Sequence, residues 1–178
     1  MERNVWLERW LTKEARRLVD GCRVLAFDGV TQCYTPDATG KYGGMWIRDF
    51  YFLAEALPEY VPESEMKAAC RFLLNGQRED GVLPDRRYAD GMSVYSAGPA
   101  GNPTGEPPAD NAAFMAKLVC CYVERSGDLL FFEKAAERLE RALGIVGRSE
   151  GGLVFIAPGT RRSSFGFLDQ IAMTGNVL

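Results

Sequence analysis

The sequence contains no histidine. Imidazole is the usual general base near neutral pH and a frequent zinc ligand, so its absence excludes Ser/His and Cys/His triads and most zinc sites. Any catalysis by these residues must therefore use carboxylates, Tyr, Lys or Arg.

The chain also lacks a strong net charge and a long apolar run. Lys and Arg number 21, Asp and Glu number 24, and the net charge is −3 over 178 residues. This balance provides no basic surface for nucleic acid phosphates or for an anionic membrane. No stretch reaches the roughly 18 apolar residues of a membrane span, and residues 1–20 have an amphipathic pattern instead of a signal-peptide pattern. We therefore expect neither nucleic acid nor a membrane as a partner.

The five cysteines are odd in number, scattered and without a CxxC spacing. Cys70, Cys120 and Cys121 fall in helical patterns and are predicted to be small core residues. No disulfide framework, metal site or cofactor is indicated. A reducing, cytoplasmic compartment is the simplest interpretation.

Six helical segments are predicted from the spacing of apolar residues. Ser64 and Asp110 are the predicted N-terminal caps of the third and fourth segments, and the fifth segment is predicted to start near Asp128. Only 94–95 and 152–156 carry weak strand signals. The segments are 2–20, 48–57, 64–75, 110–126, 128–146 and 169–178.

Two kinds of helix alternate along the chain. Segments 48–57, 110–126 and 169–178 contain few charges, whereas 64–75 and 128–146 are amphipathic. A helix that is apolar nearly all round belongs inside an assembly, and an amphipathic helix belongs on its outside. The alternation predicts stacked α-hairpins with inner and outer helices.

Acidic residues recur where the inner segments begin. Asp49, Asp110 and Asp169 are spaced 61 and 59 residues apart along the chain. Such spacing is typical of a helical repeat, although acidic caps at unrelated helix starts are the alternative. If the inner helices are parallel neighbours, these carboxylates converge on one rim, where binding sites usually lie. The long loops of that rim are 28–47, 77–108 and 147–168.

Residues 42–49 (YGGMWIRD) open an inner helix with Trp-x-Arg-Asp, which resembles the six-hairpin glycosidases, notably the glucoamylase-like enzymes. Residues 77–85 (QREDGVLPD), 108–111 (PADN) and 165–170 (FGFLDQ) are similar to the same superfamily, so the resemblance spans roughly 40–178. It implies an all-α fold of stacked α-hairpins, an (α/α)6 toroid. About half of it, three hairpins, is expected in residues 1–178 as one partial catalytic domain. It also implies a carbohydrate substrate and usually an inverting mechanism.

By this resemblance, Arg48 and Asp49 hold the hydroxyls of the sugar at the cleavage point, and Trp46 lines its face. The residue types suit a sugar, since Arg donates to hydroxyls, Asp accepts from them and an aromatic ring stacks on C–H groups. A structural pair that caps the helix is the alternative for Arg48 and Asp49, and a plain N-cap is the alternative for Asp110. The candidate substrate-binding residues are Tyr42, Trp46, Arg48, Asp49, Asp110 and Asn111.

Asp169 is the candidate general acid, because glycoside cleavage needs a protonated carboxyl beside the leaving oxygen. Burial between Phe165 and Phe167 would raise the pKa of Asp169, whereas the helix N-terminus favours its ionised form. A plain N-cap is again the alternative. Six hairpins need roughly 360 residues, so we expect the general base to lie outside this chain and the chain alone to be inactive. Its unpaired hairpin faces are expected to favour self-association.

Two alternatives remain open. The first is a non-catalytic helical repeat scaffold, or a carbohydrate-binding protein; the long loops and the acidic rim argue against the scaffold. The second is a toroid that carries out epimerase or lyase chemistry, which generally depends on histidine. Tyr88 and Tyr95 lie in the longest rim loop, where they could stack on sugar or pack the loop down.

Overall fold

The computed structural model describes residues 4–96, Pro108 and residues 110–152. The predicted helix at 169–178 lies outside these residues, as does 153–156 of the predicted second strand. The α-helices are α1 (Val5–Gly21), α2 (Ile47–Ala56), α3 (Glu63–Asn75), α4 (Asn111–Ser126) and α5 (Leu129–Gly144), with a 3-10 helix at Pro58–Tyr60. The strands are β1 (Arg23–Leu25), β2 (Gln32–Tyr34), β3 (Gly44–Trp46), β4 (Arg86–Tyr88) and β5 (Ser93–Val94).

The helix boundaries follow local chemistry in most cases. Asp128 caps α5, and its side chain accepts a hydrogen bond of 3.1 Å from the Phe131 amide. Gly127 ends α4 in the left-handed region with φ 71°, a conformation that glycine adopts without a Cβ clash. The predicted cap Ser64 is wrong, because α3 already begins at Glu63. Pro62 is extended and is the last residue before the helix, so the first turn starts directly after it.

Helices α2 and α4 run side by side in the same direction. Arg48 at the start of α2 contacts Asp110 at the start of α4, and one turn later the rings of Tyr51 and Phe114 lie 5.6 Å apart. The two helices therefore have the parallel arrangement that the repeat predicts for them. Their N-termini lie at the same end of the molecule.

Helices α3 and α5 form the second parallel pair. Lys67 near the start of α3 donates to Asp128 before α5, and Gln77 after α3 donates to the Arg138 carbonyl at 2.9 Å. Helix α4 packs against α2, α3 and α5, so it lies at the centre of the described helices. The fully buried side chains between them are Ile47, Ala54, Val61, Met66, Ala69, Cys70, Leu73, Met115, Leu118 and Val119.

The all-α prediction is correct for the helices and wrong for the loops. Strands β1 and β2 pair antiparallel, and β3, β4 and β5 form a three-stranded antiparallel sheet. These strands lie mostly within the segments 28–47 and 77–108 that were predicted as loops. Each strand has only two or three residues, too few for an alternating pattern to be recognised. Because β3 continues directly into α2, the sheet determines where α2 begins.

The cysteine prediction is correct for Cys70 and wrong for Cys120. Cys70 is fully buried, Cys121 is half-buried and Cys120 is exposed, and all five thiols are free. Successive helical residues point about 100° apart, so two adjacent cysteines on α4 cannot both face the same core.

Helix α1 packs little against the rest of the described chain and keeps apolar side chains in solvent. Trp6 is 71% exposed, Trp10 one turn later is 48% exposed, and the adjacent Leu11 is exposed as well. Among the described helices none is long and apolar enough to cross a membrane.

Candidate functional site

The predicted rim residues meet where α2 and α4 begin. Arg48 Nη1 lies 3.0 Å from Asp110 Oδ2, and the two side chains are 17% and 31% exposed. Asp110 occupies the N-cap position of α4 without a side-chain capping bond, so its carboxylate serves the ion pair. Negative charge at a helix start is favourable, so the carboxylate of Asp110 is well placed at the start of α4.

Asp49 is the exposed carboxylate of this cluster. Desolvation by the surrounding protein raises the pKa of Asp49, the charge of Arg48 lowers it and the charge of Asp110 raises it. Exposure and desolvation are compatible if the carboxyl lies in a concave surface, open to water on one side and surrounded by protein on the others. In that position its oxygens can accept hydrogen bonds from a ligand.

Trp46 and Tyr42 form an aromatic wall beside the charged cluster. Both are half-buried, and their rings meet edge to face with centroids 5.6 Å apart. Trp46 is the N-cap residue of α2, so it belongs to the same helix start as Arg48 and Asp49. Such a wall can stack on an apolar ligand face.

Asn111 plays a structural part in the described geometry. It is buried, and its Nδ2 donates to the Pro84 carbonyl at 2.8 Å, which ties the start of α4 to the loop before β4. Its Oδ1 is buried and makes no hydrogen bond within the described part of the chain. The structure therefore places Asn111 beneath the surface that Arg48 and Asp49 form.

The sequence interpretation missed a buried ion pair behind this wall. Arg86 Nη1 lies 2.8 Å from Asp85 Oδ2, and the side chains are 1% and 0% exposed. The same Oδ2 accepts a 3.1 Å hydrogen bond from Trp46 Nε1, and the Arg86 guanidinium lies over the Trp46 ring at 5.1 Å. In the sequence, Asp85 is only the last residue of the stretch 77–85, and Arg86 belongs to no recognised motif. Charged residues in a short strand give no periodic signal of burial.

Burial dominates the acid–base behaviour of Asp85. Desolvation raises the pKa of Asp85 to about 7, although the charge and hydrogen bond of Arg86 and the hydrogen bond of Trp46 lower it and the charge of Asp110 raises it further. The influence of Asp110 shows that the buried pair and the open pair belong to one electrostatic cluster.

A glycine makes room for the buried pair. Gly44 on β3 lies against Arg86, and a Cβ at Gly44 would meet Arg86 side-chain carbons at 3.3 Å. The register of the sheet brings Trp46 opposite Arg86. The small residue in YGGMWIRD thus lets strands β3 and β4 close over the guanidinium.

The two tyrosines of the long loop pack that loop against the protein. Tyr88 Oη accepts a long hydrogen bond of 3.4 Å from Arg86 Nε, and Tyr95 Oη donates to the Gly76 carbonyl at 2.7 Å. Arg78 lies over the Tyr95 ring at 5.1 Å. Both tyrosines therefore have partners within the described chain.

A concave region of about 430 Å³ lies toward the other end of α2 and α4. Glu55, Lys117 and Cys121 line it, together with Arg125, whose guanidinium donates to the backbone carbonyls of Pro58 and Val61. Its balanced charges select no particular ligand. The charged and aromatic groups at the starts of α2 and α4 make that end of the two helices the stronger candidate site.

Asp169, the predicted general acid, lies outside the described residues. Over the described ranges 4–96 and 110–152, no group of three or more Cys, Asp or Glu side chains is arranged to hold a metal ion. Comparisons with protein-family models, curated proteins and solved structures found no match to this chain.

Proposed function

We propose that this chain belongs to a glycoside hydrolase of the six-hairpin type and that the cluster at the starts of α2 and α4 binds its sugar. One observation supports this most. Arg48 and Asp110, 62 residues apart, form an ion pair beside the exposed Asp49 and the aromatic wall of Trp46. Two helix starts thus contribute donors, acceptors and a stacking face to one place.

The chemistry of the cluster matches a neutral, hydroxyl-rich ligand. Arg48 has five N–H donors in a rigid fork, and one of its nitrogens makes the described bond to Asp110. Asp49 provides carboxylate acceptors at the surface, and Trp46 offers part of its ring to C–H groups. Paired charges of opposite sign also suit a neutral ligand better than a charged one, because neither sign is in excess.

The cluster is proposed to position the sugar, whereas proton transfer is assigned to other carboxyls. Glycoside hydrolysis uses two carboxyl groups on opposite sides of the scissile bond. Asp169 remains the predicted general acid of the pair. A binding assay therefore tests the described cluster more directly than a turnover assay does.

The decisive experiment is calorimetric titration of the chain with glucose, galactose, mannose, xylose, maltose and cellobiose. Removing a charged hydrogen-bonding partner costs about 1.5–3 kcal/mol, so R48M and D49N should each weaken the bound sugar at least about tenfold. The matched controls R141M and E137Q break an exposed ion pair on α5 and should leave the affinity unchanged. Undiminished affinity in R48M and D49N, or no binding of any of these sugars, contradicts the proposal.

The aromatic wall has its own matched test. W46A should reduce the affinity for the same sugar, because the stacking face is lost. W10A removes a tryptophan from α1 that is already half in solvent and should change nothing. Equal effects of the two substitutions would show that Trp46 has no special part in binding.

A non-catalytic scaffold is the second candidate, and the exposed side of α1 favours it. Trp6, Trp10 and Leu11 form an apolar surface of the kind that marks a protein contact. Light scattering over a concentration series tests this alternative. Association that W6A/W10A abolishes, in a chain that binds no sugar, would make the scaffold the better account.

A further inference from the structure

Asp85 lies at the centre of three contacts behind the candidate site. Its Oδ2 accepts from Trp46 Nε1 at 3.1 Å and from Arg86 Nη1 at 2.8 Å, and its amide donates to the Val94 carbonyl at 2.7 Å. The side chain is fully buried. The carboxylate therefore cannot contact a ligand in solvent, but it does contact a residue that can.

We propose that Asp85 is the positioning residue of the sugar site, which holds the Trp46 indole in its binding orientation through the Nε1–H···Oδ2 hydrogen bond. This inference rests on the proposed function, since it concerns the wall of the same site. Asp85 acts through Trp46 and not on the ligand.

The surrounding contacts explain why one hydrogen bond can set the ring. An indole has two side-chain torsions, and the contact of Nε1–H with a fixed acceptor restrains both of them. Arg86 lies over the ring at 5.1 Å and Tyr42 meets it edge-on at 5.6 Å. Because Arg86 is itself bound to Asp85, the carboxylate orders both the ring edge and the group above the ring.

The strength of the hydrogen bond from Trp46 Nε1–H to Asp85 depends on the ionisation of Asp85. The charged groups that face this carboxyl are Arg86 from β4 and Asp110 from the start of α4, and Asp110 is paired in turn with Arg48. Burial raises the pKa of Asp85 to about 7. The ionised form is the stronger acceptor, so the indole is held most firmly above neutral pH.

The absence of histidine makes this transition accessible to measurement. No imidazole titrates near neutral pH in this chain, and only three tryptophans contribute indole N–H signals. We suggest ¹⁵N-labelled tryptophan and a heteronuclear pH titration, with W6F and W10F identifying the two signals of α1. The Trp46 signal should shift with a midpoint near 7, while the Trp6 and Trp10 signals stay constant.

Substitutions connect that shift to Asp85. D85N should abolish the pH-dependent shift of the Trp46 signal, and D49N should leave it in place, which separates Asp85 from the other carboxyl with a raised pKa. If D85N does not fold, the pH titrations of the unsubstituted chain and of D49N test whether the Trp46 signal shifts with a midpoint near 7 independently of Asp49. A Trp46 signal without a midpoint near 7, or a shift that persists in D85N, overturns the proposal.

A double-mutant cycle tests the effect on the ligand, with the tightest-binding sugar of the titration series as the probe. D85N should weaken that sugar about tenfold in the chain with Trp46 and leave the affinity unchanged in the W46F background, because the indole N–H is then already absent. An equal loss in both backgrounds shows that Asp85 acts elsewhere and overturns the proposal.

The two readouts separate this inference from the proposed function. A pH-dependent Trp46 signal that requires Asp85, in a chain that binds none of the sugars, supports the hold on the indole and contradicts the sugar site. If a sugar binds but the pH dependence of the Trp46 signal is the same in D85N, the sugar site is supported and the positioning role of Asp85 is overturned.

Discussion

Two of the Asp–Arg pairs in the described part of the chain differ in sequence separation and in solvent access. Asp85 and Arg86 are neighbours in the chain and almost completely buried, whereas Arg48 and Asp110 are 62 residues apart and partly open to water. Removing one member of a buried ion pair is strongly destabilising, because the remaining charge has lost its hydration and has no partner to compensate for that loss. The open pair can exchange hydrogen bonds with water or with a ligand. The first pair therefore belongs to the fold, and the second has the properties of a binding site.

The largest effect should come from removing the buried cation. R86M leaves the carboxylate of Asp85 buried without its guanidinium, and we expect a loss of about 3–5 kcal/mol in the free energy of unfolding at pH 8. Urea denaturation measures it. The loss should be smaller at pH 5, where Asp85 can bind a proton. A loss below about 1 kcal/mol at pH 8 would contradict the view that this pair is part of the core.

The pH dependence of stability should identify Asp85 next. Its pKa is about 7 in the folded protein, compared with the ordinary value of 3.8 that applies to the unfolded chain. Between these values the unfolded chain has released the proton and the folded chain keeps it. The free energy of unfolding therefore falls by up to about 4 kcal/mol as the pH rises from about 4 to 7. Above pH 7 it no longer changes on account of Asp85. Urea titrations at pH 5, 6, 7 and 8 should show this slope in the unsubstituted chain and lose it in D85N; equal slopes would assign the effect to other groups.

The open pair should matter less for stability than for binding. R48M should lower the free energy of unfolding by about 1 kcal/mol, because solvent screens a pair that is partly exposed. Thermal and urea unfolding of R48M and R86M, measured side by side, compare the free energies of unfolding of the two variants. A loss as large as that of R86M would place Arg48 with the structural core and weaken its assignment to a ligand.

The smallest effect should come from the most exposed of the three pairs. Glu137 and Arg141 form an i,i+4 pair on α5 with side chains 84% and 45% exposed. E137Q should change the free energy of unfolding by less than about 0.5 kcal/mol. The three pairs then form a series in which the cost of breaking an ion pair follows its burial, and a larger loss in E137Q than in R48M would break that series.

Helices were more predictable here than strands, of which only β5 overlaps a predicted strand, at Val94. Periodic apolar residues identify α4 and α5 over four turns each, and Asp128 and Gly127 mark their ends by local capping chemistry. Strand β4 consists of two arginines and a tyrosine, which local pattern assigns to a loop. It pairs with β3, whose residues lie about 40 positions earlier in the chain. Local sequence patterns cannot predict a pairing between segments so far apart.

The candidate site was predictable by residue type and only partly by role. Trp46, Arg48 and Asp49 share one helix start, so their proximity follows from the sequence. Asp110 was predicted at the same rim with a helix cap as its alternative, and the structure shows its carboxylate bound to Arg48. Asn111 was expected beside it as a ligand contact, yet its side chain is buried against Pro84.

The sequence by itself determined the described helices and the residue types available for chemistry, because these depend on periodicity and composition within one segment. Only the tertiary structure decided which charges meet. It buried Asp85 and Arg86 behind Trp46 and left Arg48, Asp49 and Asp110 at the surface. The reason is physical: the free energy of a charge depends on the solvent and partners around it, and both are set by surfaces that are far apart along the chain.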